Sequence, residues 1–463
     1  PATQSQERLR QLMEAGLDVV RFNFSHGDHA FYAEAMVKIR QLSEELSRPI
    51  AIMQDLQGVK IRTGCLENSQ PVELTTGQRL IITTKRLVGG RDRISTSYKA
   101  LPQDVQPGDR ILLSDGLIEL LVSKTSKFEV DCEIVSGGIL AENQGINLPG
   151  VRISAPPLTE KDIQDLNFGI QQGMDYIALS FVRSAEDLVK LKEKIAQSNH
   201  DTPVIAKLET PMAIKNLEAI LEECDGVMVA RGDLGVEVNP EKVPVIQKQA
   251  VKQANRKGKL VIIATQMLDS MIHNPRPTRA EASDVANAVF DGADALMLSG
   301  ETAIGRFPVE SVVMMSRIIS QAESLGTDFQ TTLPHEETGL SFPEAVCDAA
   351  YHASNSIQAR AIAAFTQTGS TARLISKFRP SAEILGVTPH SHIVTRLPLL
   401  WGVRPLLMPE IRLIDELIGE LEQLLLQQDL VKKGDHLIIL TGAPILEQGH
   451  INLMKLHRLG GEP

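Results

Sequence analysis

Six apolar runs in this sequence end in side chains able to do chemistry. Residues 18–23 lead into Arg21-Phe-Asn23-Phe-Ser25-His-Gly27. Residues 50–54 lead into Asp55, followed by Lys60 and Arg62. Residues 203–208 carry Lys207-Leu-Glu209, and 226–230 lead into Arg231-Gly232-Asp233-Leu-Gly235. Residues 260–264 precede Thr265-Gln266, and 294–298 precede Ser299-Gly-Glu301. One carboxylate in such a place is more often a helix cap or an ion-pair partner. Six polar endings that converge on one mouth read as a site. Glu209 and Asp233 are hard oxygen ligands that leave room for water and substrate oxygens, the pattern Mg²⁺ or Mn²⁺ prefers. Arg21 and Arg62 carry permanent forked charges suited to phosphoryl oxygens. Lys207 shares a strand face with Glu209, so ammonium and metal would flank one ligand. Gly232 lets backbone N–H groups approach an anion at a helix start. Together these parts point to phosphoryl transfer.

The elements that must position them alternate along the chain. Apolar strands are expected at 18–23, 50–54, 175–180, 203–208, 226–230, 260–265 and 294–299. Helical periodicity fills 7–15, 29–47, 159–172, 184–197, 211–222, 241–257, 279–290 and 308–323. Parallel strands that alternate with helices suit a TIM (β/α)8 barrel, whose chemistry sits at the strands' C-terminal ends. Seven strands are one short of closure, and an eighth is expected before Pro1. Between 64 and 153 turn signals crowd together (Thr76-Gly77, Gly89-Gly90, Pro107-Gly108, Asp115-Gly116, Gly137-Gly138), which predicts a small β-barrel insert. Residues 326–463 read as a third, α/β unit behind a linker at 325–340. Its strands are expected at 361–366, 383–387, 436–441 and 451–457, and a core-facing leucine-rich helix at 413–426. The units are then 1–63 with 154–325, 64–153, and 326–463.

The motifs Arg21–Gly27, Asp55–Arg62, Gly145-Ile-Asn-Leu-Pro-Gly150, Ala206-Lys-Leu-Glu209, Ala230–Gly235, Ala264-Thr-Gln-Met-Leu268, Pro277-Thr-Arg-Ala-Glu281 and Met297-Leu-Ser-Gly-Glu-Thr302 resemble, in order, those of pyruvate kinase. The resemblance runs the length of the chain. It implies a barrel interrupted by a β-rich lid domain, then a C-terminal regulatory domain. It also implies transfer of phosphate from phosphoenolpyruvate to ADP, the last step of glycolysis, in a cytoplasmic homotetramer. By resemblance Glu209 and Asp233 bind the divalent metal, and Lys207 stabilises the phosphoryl group in transfer. Arg21 binds substrate, Arg62 binds nucleotide phosphate, Gly232 and Asp233 hold the substrate carboxylate, and Thr265 lies by the carbon that is protonated. The proton donor stays open between Thr265 and water. Two other readings also stay open: a catalytically impaired metabolite-binding homologue, and another Mg²⁺-dependent phosphoenolpyruvate/pyruvate barrel enzyme.

Departures from the family pattern carry expectations of their own. Asn23, Ser25 and Asp55 match its potassium-site positions. Leu56 and Lys60 stand where those members commonly have Thr and Glu. A lysine ammonium supplies the positive charge potassium would bring, so K⁺ is expected not to be required. Gln144 stands where many members carry a lid lysine. In the third unit Thr366-Gln-Thr368-Gly369-Ser370-Thr371 lies between a strand and a helix, a phosphate-cradling arrangement. In the family this loop binds an effector's phosphate. The segment 441–450 lacks Lys and Arg, so the expected effector is a sugar monophosphate or AMP, not a bisphosphate.

Composition closes off other functions. The charge is −11, from 47 basic and 58 acidic residues, which argues against a nucleic-acid grip. No apolar run approaches the roughly 18 residues of a membrane span. Cys65, Cys132, Cys224 and Cys347 form no C-x-x-C pair, which fits a reducing compartment. Gly300–Arg306 has P-loop glycine spacing without its Lys-Ser/Thr ending, and is rejected as one.

Overall fold

The computed structural model describes residues 2–325, 340–442 and 451–460. The linker expected at 325–340 and the segment 441–450 fall mostly outside the described residues.

Seven parallel strands form the central sheet: β1 Val19–Asn23, β2 Ala51–Leu56, β3 Tyr176–Leu179, β4 Val204–Leu208, β5 Gly226–Ala230, β6 Leu260–Ala264 and β7 Ala295–Met297. They pair in that order, so every strand points the same way and all the C-terminal ends gather at one mouth. β2 to β6 are buried at every residue, as expected for strands covered on both faces, whereas β1 and β7 are mostly half-buried. Helices close the outer face. Three begin at capping boxes, Thr159 with Asp162, Ser184 with Asp187 and Thr278 with Glu281. Leu166, Leu188, Leu191, Ile220 and Val251 pack outward-facing Ile177, Val204, Val227 and Val261 into one core. The fold is the expected barrel architecture, here with seven strands.

The insert leaves the barrel after β2. It holds a six-stranded sheet in the order Ile146–Asn147, Arg110–Leu113, Ile118–Thr125, Glu129–Ser136, Arg79–Thr83 and Arg93–Ser95, beside a two-stranded ribbon. Its own apolar core includes Leu80, Ile82, Ile111, Leu120 and Val130.

The third unit is a five-stranded sheet in the order Val403–Leu407, Glu383–Thr388, Ala361–Phe365, His436–Thr441 and Leu453–Arg458, the last antiparallel. The strand Val403–Leu407 was not expected. Pro405 lacks an amide donor and lowers strand propensity, and the structure accommodates it at the sheet edge. The leucine-rich helix spans Ile414–Gln427 and buries Leu417, Ile418, Leu421 and Leu425.

A buried ionic cluster joins this unit to the foot of the barrel. Asp294, just before β7, accepts from Lys377 and from Arg379 (2.8 Å) and also takes the Val261 amide at 2.8 Å. The Asp294 and Lys377 side chains are each 1% exposed. Arg379 also donates to the Gly292 carbonyl (2.9 Å) and lies over the Trp401 ring at 4.7 Å. Burial alone would raise the Asp294 carboxyl, but two adjacent cations hold it below the usual carboxylate range. With two cations and one carboxylate, burial pushes Lys377 down to about 8.

No described helix is long and apolar enough to cross a membrane. Among the described residues Cys65 is exposed, the other three cysteines are buried, and all four are free.

Candidate active site

At the mouth of the sheet, the ends of β1, β2, β3 and β4 place a charge network. The Lys207 ammonium donates to Glu209 Oε1 at 2.9 Å and to Ser180 Oγ at 2.7 Å, and lies 3.3 Å from Asp55 Oδ1. Ser180 in turn donates to Asp55 Oδ1 at 3.2 Å. Asp55 Oδ2 takes both the Nε and a terminal nitrogen of Arg21 at 2.6 Å. The second Glu209 oxygen accepts the Phe181 amide at 2.7 Å. Asp55 and Glu209 side chains are each 1% exposed. Inside this dry network, interactions are much stronger than in water.

The network is electrically uneven. Burial would raise Asp55, yet Lys207 and Arg21 outweigh it and hold the carboxyl below its usual range. Burial opposes the Lys207 charge, and Asp55 with Glu209 raise its pKa all the same. Glu209 goes the other way: burial raises it, Lys207 offsets only part, and the Asp233 charge adds to the rise. Lys207 is thus the one cation paired with Glu209, and Asp233 is the neighbouring carboxylate that acts against it. Among the described residues no three His, Cys, Asp or Glu side chains are arranged around a metal. A two-carboxylate site for a hard divalent ion, completed by water and substrate oxygens, fits both facts.

The backbone is bent at the same level. Phe181 (φ 54°), Thr265 (φ 73°) and Gln266 (φ 54°) adopt left-handed conformations just beyond β3 and β6. For β-branched Thr265 this is an outlier, held by bonds on both sides. Its hydroxyl donates to the Ala264 carbonyl (2.6 Å) and accepts the Gly232 amide (2.7 Å). Arg231 donates to the Thr265 carbonyl at 2.7 Å and pairs with Asp284 at 2.7 Å. Gly58 (φ +64°) brings the segment after Asp55 so close to Ser180 that a Cβ there would sit 2.7 Å from the Ser180 carbonyl oxygen. Gly58→Ala is therefore expected to destabilise by more than about 1 kcal/mol and to lower turnover, read by melting and initial rates.

The structure brings together Arg21, Asp55, Lys207 and Glu209, with Asp233 close enough to act on Glu209. It joins Thr265 to Gly232. Asn23 and Ser25 lie beside them, and the Asn23 side-chain oxygen accepts the Ser25 amide at 3.1 Å. Arg62 stands apart at the root of the lid: it bridges to Gly145, and its guanidinium donates to the Asn143 carbonyl at 2.9 Å. Lys60 lines the cleft between lid and barrel, about 260 Å³, together with Asp115, Asp233, Glu237 and Asn147. The sequence reading names no role for Ser180, and it names Arg231 only within a strand ending. Ser180 is the hydroxyl directly beyond β3.

In the third unit Thr366, Thr368, Ser370 and Thr371 line a small pocket with Thr441 and Glu410. Gly369, in a left-handed conformation, caps the helix Ser370–Lys377 and donates its amide to Thr366 Oγ1 at 2.8 Å.

Residues 1–312 match the family model described as pyruvate kinase, barrel domain, and 344–457 match pyruvate kinase, alpha/beta domain. This chain belongs to the pyruvate kinase family. It is 45% identical over 459 residues to pyruvate kinase 2 of Synechocystis, covering 98% of this chain and 77% of that one. It is 44% identical over 462 residues to the pyruvate kinase of Mycobacterium tuberculosis, covering 99% and 97%. Its fold superposes on the crystal structure of a pyruvate kinase from Cryptosporidium parvum with TM-score 0.91 and 37% identity, covering 99% and 94%. Members of this family depend on a divalent metal.

Proposed function

We propose that this chain moves the phosphoryl group of phosphoenolpyruvate onto ADP, giving pyruvate and ATP, with the residues at the barrel mouth in the following roles. The observation that carries the assignment is the buried Lys207 ammonium held between Glu209, Ser180 and Asp55 at the strand ends. Lys207 and Arg21 face the phosphoryl oxygens and stabilise charge as the group leaves the enolate. Glu209 and Asp233 hold the divalent ion, Mg²⁺ or Mn²⁺, which when bound polarises the phosphoryl and enolate oxygens. Substrate carboxylate takes the Gly232 and Asp233 amides and displaces the Thr265 hydroxyl from Gly232. That hydroxyl then faces the methylene carbon that gains the proton. Arg62, at the lid root, takes nucleotide phosphate.

The assignment extends to monovalent ions. Asp55 already has Arg21, Lys207 and Ser180 as partners, and the Asn23 oxygen has the Ser25 amide. Lys60 lines the same cleft as Asp233. These oxygens need no K⁺ to balance them. The hydroxyl pocket at 366–371 takes a phosphate monoester effector, a sugar phosphate or AMP. The assembly is a cytoplasmic homotetramer.

Pyruvate formation coupled to lactate dehydrogenase tests the reading. Consumption of NADH that needs phosphoenolpyruvate, ADP and Mg²⁺ together is expected, at the same rate in Na⁺ as in K⁺ buffers. No ADP-dependent pyruvate would overturn the reaction, and a saturable demand for K⁺ over Na⁺ would overturn the role given to Lys60.

A further inference from the structure

The helix Arg231–Glu237 carries Asp233 and is gripped at both ends by different parts of the molecule. The barrel holds its N-terminal end, where Arg231 pairs with Asp284 and donates to the Thr265 carbonyl, and the Gly232 amide reaches Thr265 Oγ1. The lid holds its C-terminal end. Asn147 Nδ2, on the short lid strand Ile146–Asn147, donates to Glu237 Oε1 at 3.0 Å. The lid turn Ser114–Gly116 packs on the same helix, with a Cβ built at Gly116 falling 3.5 Å from Val236 Cγ1. Asp233 and Glu237 are four apart, so they stand one above the other on one helix face. Seven residues span only about 10 Å, too short to bend between the two grips. Two residues before Asn147 on the lid, Gly145 bridges to Arg62. One lid segment of three residues therefore touches both the arginine assigned to nucleotide phosphate and the helix assigned to the metal.

We propose that Asn147 and Glu237 form a clasp through which the orientation of the lid sets the position of the Asp233 carboxylate, and with it the affinity for the divalent ion. Both are positioning residues: they act on Asp233 and touch no reacting atom. The inference rests on the reading of Asp233 as a metal ligand. It predicts that metal binding tightens when the lid is engaged by nucleotide at Arg62, because one lid segment serves both.

Mn²⁺ titration of the full chain without substrates, read by loss of the free-ion electron paramagnetic resonance signal, tests it. Asn147→Ala and Glu237→Ala are expected to weaken Mn²⁺ binding about tenfold or more, as loss of a partner outside the coordination sphere does. Glu237→Gln keeps an acceptor for Asn147 and is expected to bind Mn²⁺ like the parent chain. A merely structural contact would lower the melting temperature and leave the Mn²⁺ dissociation constant unchanged, and that outcome overturns the clasp. Asp233→Asn separates the two readings. If it weakens Mn²⁺ while Asn147→Ala does not, the clasp fails and the metal assignment stands. If Asp233→Asn binds Mn²⁺ like the parent chain, the metal assignment fails and takes the clasp with it.

Discussion

Lys207→Met is expected to lower kcat by about a hundred- to a thousandfold, with kcat/KM falling in step. Methionine keeps most of the stem volume and removes only the charged head. That head has three oxygen partners within 3.3 Å and a side chain 9% exposed, so no water replaces it. An interaction made mainly with the phosphoryl group in transfer disappears from the transition state, so ground-state binding changes less than turnover. Lys207→Arg is expected not to rescue, because a planar fork does not fit three partners arranged around a point charge. The rest of the network accommodates the loss unevenly. Asp55 retains Arg21, whereas Glu209 loses its one cation and is already raised by burial and by Asp233. The variant's melting temperature is therefore expected to rise with added Mg²⁺ more than the parent's does. Retention of a tenth or more of kcat would refute the role given to Lys207.

Asp294→Ala is the second large effect, and it concerns stability. Removing one partner of a buried ion cluster leaves the others charged and unpaired, which costs about 3–5 kcal/mol. Here two cations, Lys377 and Arg379, would lose their common carboxylate in a site 1% exposed, and the Val261 amide would lose its acceptor. Denaturant unfolding should show the barrel and the third unit losing their cooperativity. The double variant Asp294→Leu with Lys377→Met, which removes opposite charges together, is expected to recover part of the loss. A double variant no more stable than Asp294→Ala would argue against the ionic account. The same cluster sets an acid dependence. The Asp294 carboxyl titrates lower in the folded than in the unfolded state. The unfolded chain therefore binds more protons in between, and this contribution is complete above the unfolded value near pH 4. It fades as pH falls through the folded value. Asp294→Asn is expected to flatten that part of the stability profile.

Much of this molecule is legible in its sequence, for a physical reason. A strand buried on both faces must be apolar along its length, so its end is marked by the first polar residue. In a barrel that end is where function lies. That contrast marked the positions of Asp55, Lys207, Glu209 and Thr265, while the roles expected of Asp55 and Thr265 came from the family resemblance. Ser180 obeys the same rule and escaped because a serine carries little signal without its partners. Asp294 and Lys377 lie 83 residues apart, and each reads locally as a surface charge. Nothing in a linear chain marks them as buried together. Val403–Leu407 escaped because Pro405 contradicts a strand unless its place at the sheet edge is known. The Asn147–Glu237 contact depends on how the lid is hung on the barrel, which spacing does not encode.

The left-handed turn at Thr265 has one more consequence. A β-branched residue at φ 73° costs about 1–3 kcal/mol against a residue free to adopt that conformation. Glycine would relieve the backbone, and it would remove the hydroxyl that meets Gly232. Selection for thermal robustness and selection for speed therefore favour different side chains at this one position. Directed evolution of this chain for heat resistance alone, with activity left unscreened, would be drawn to the centre of its own active site.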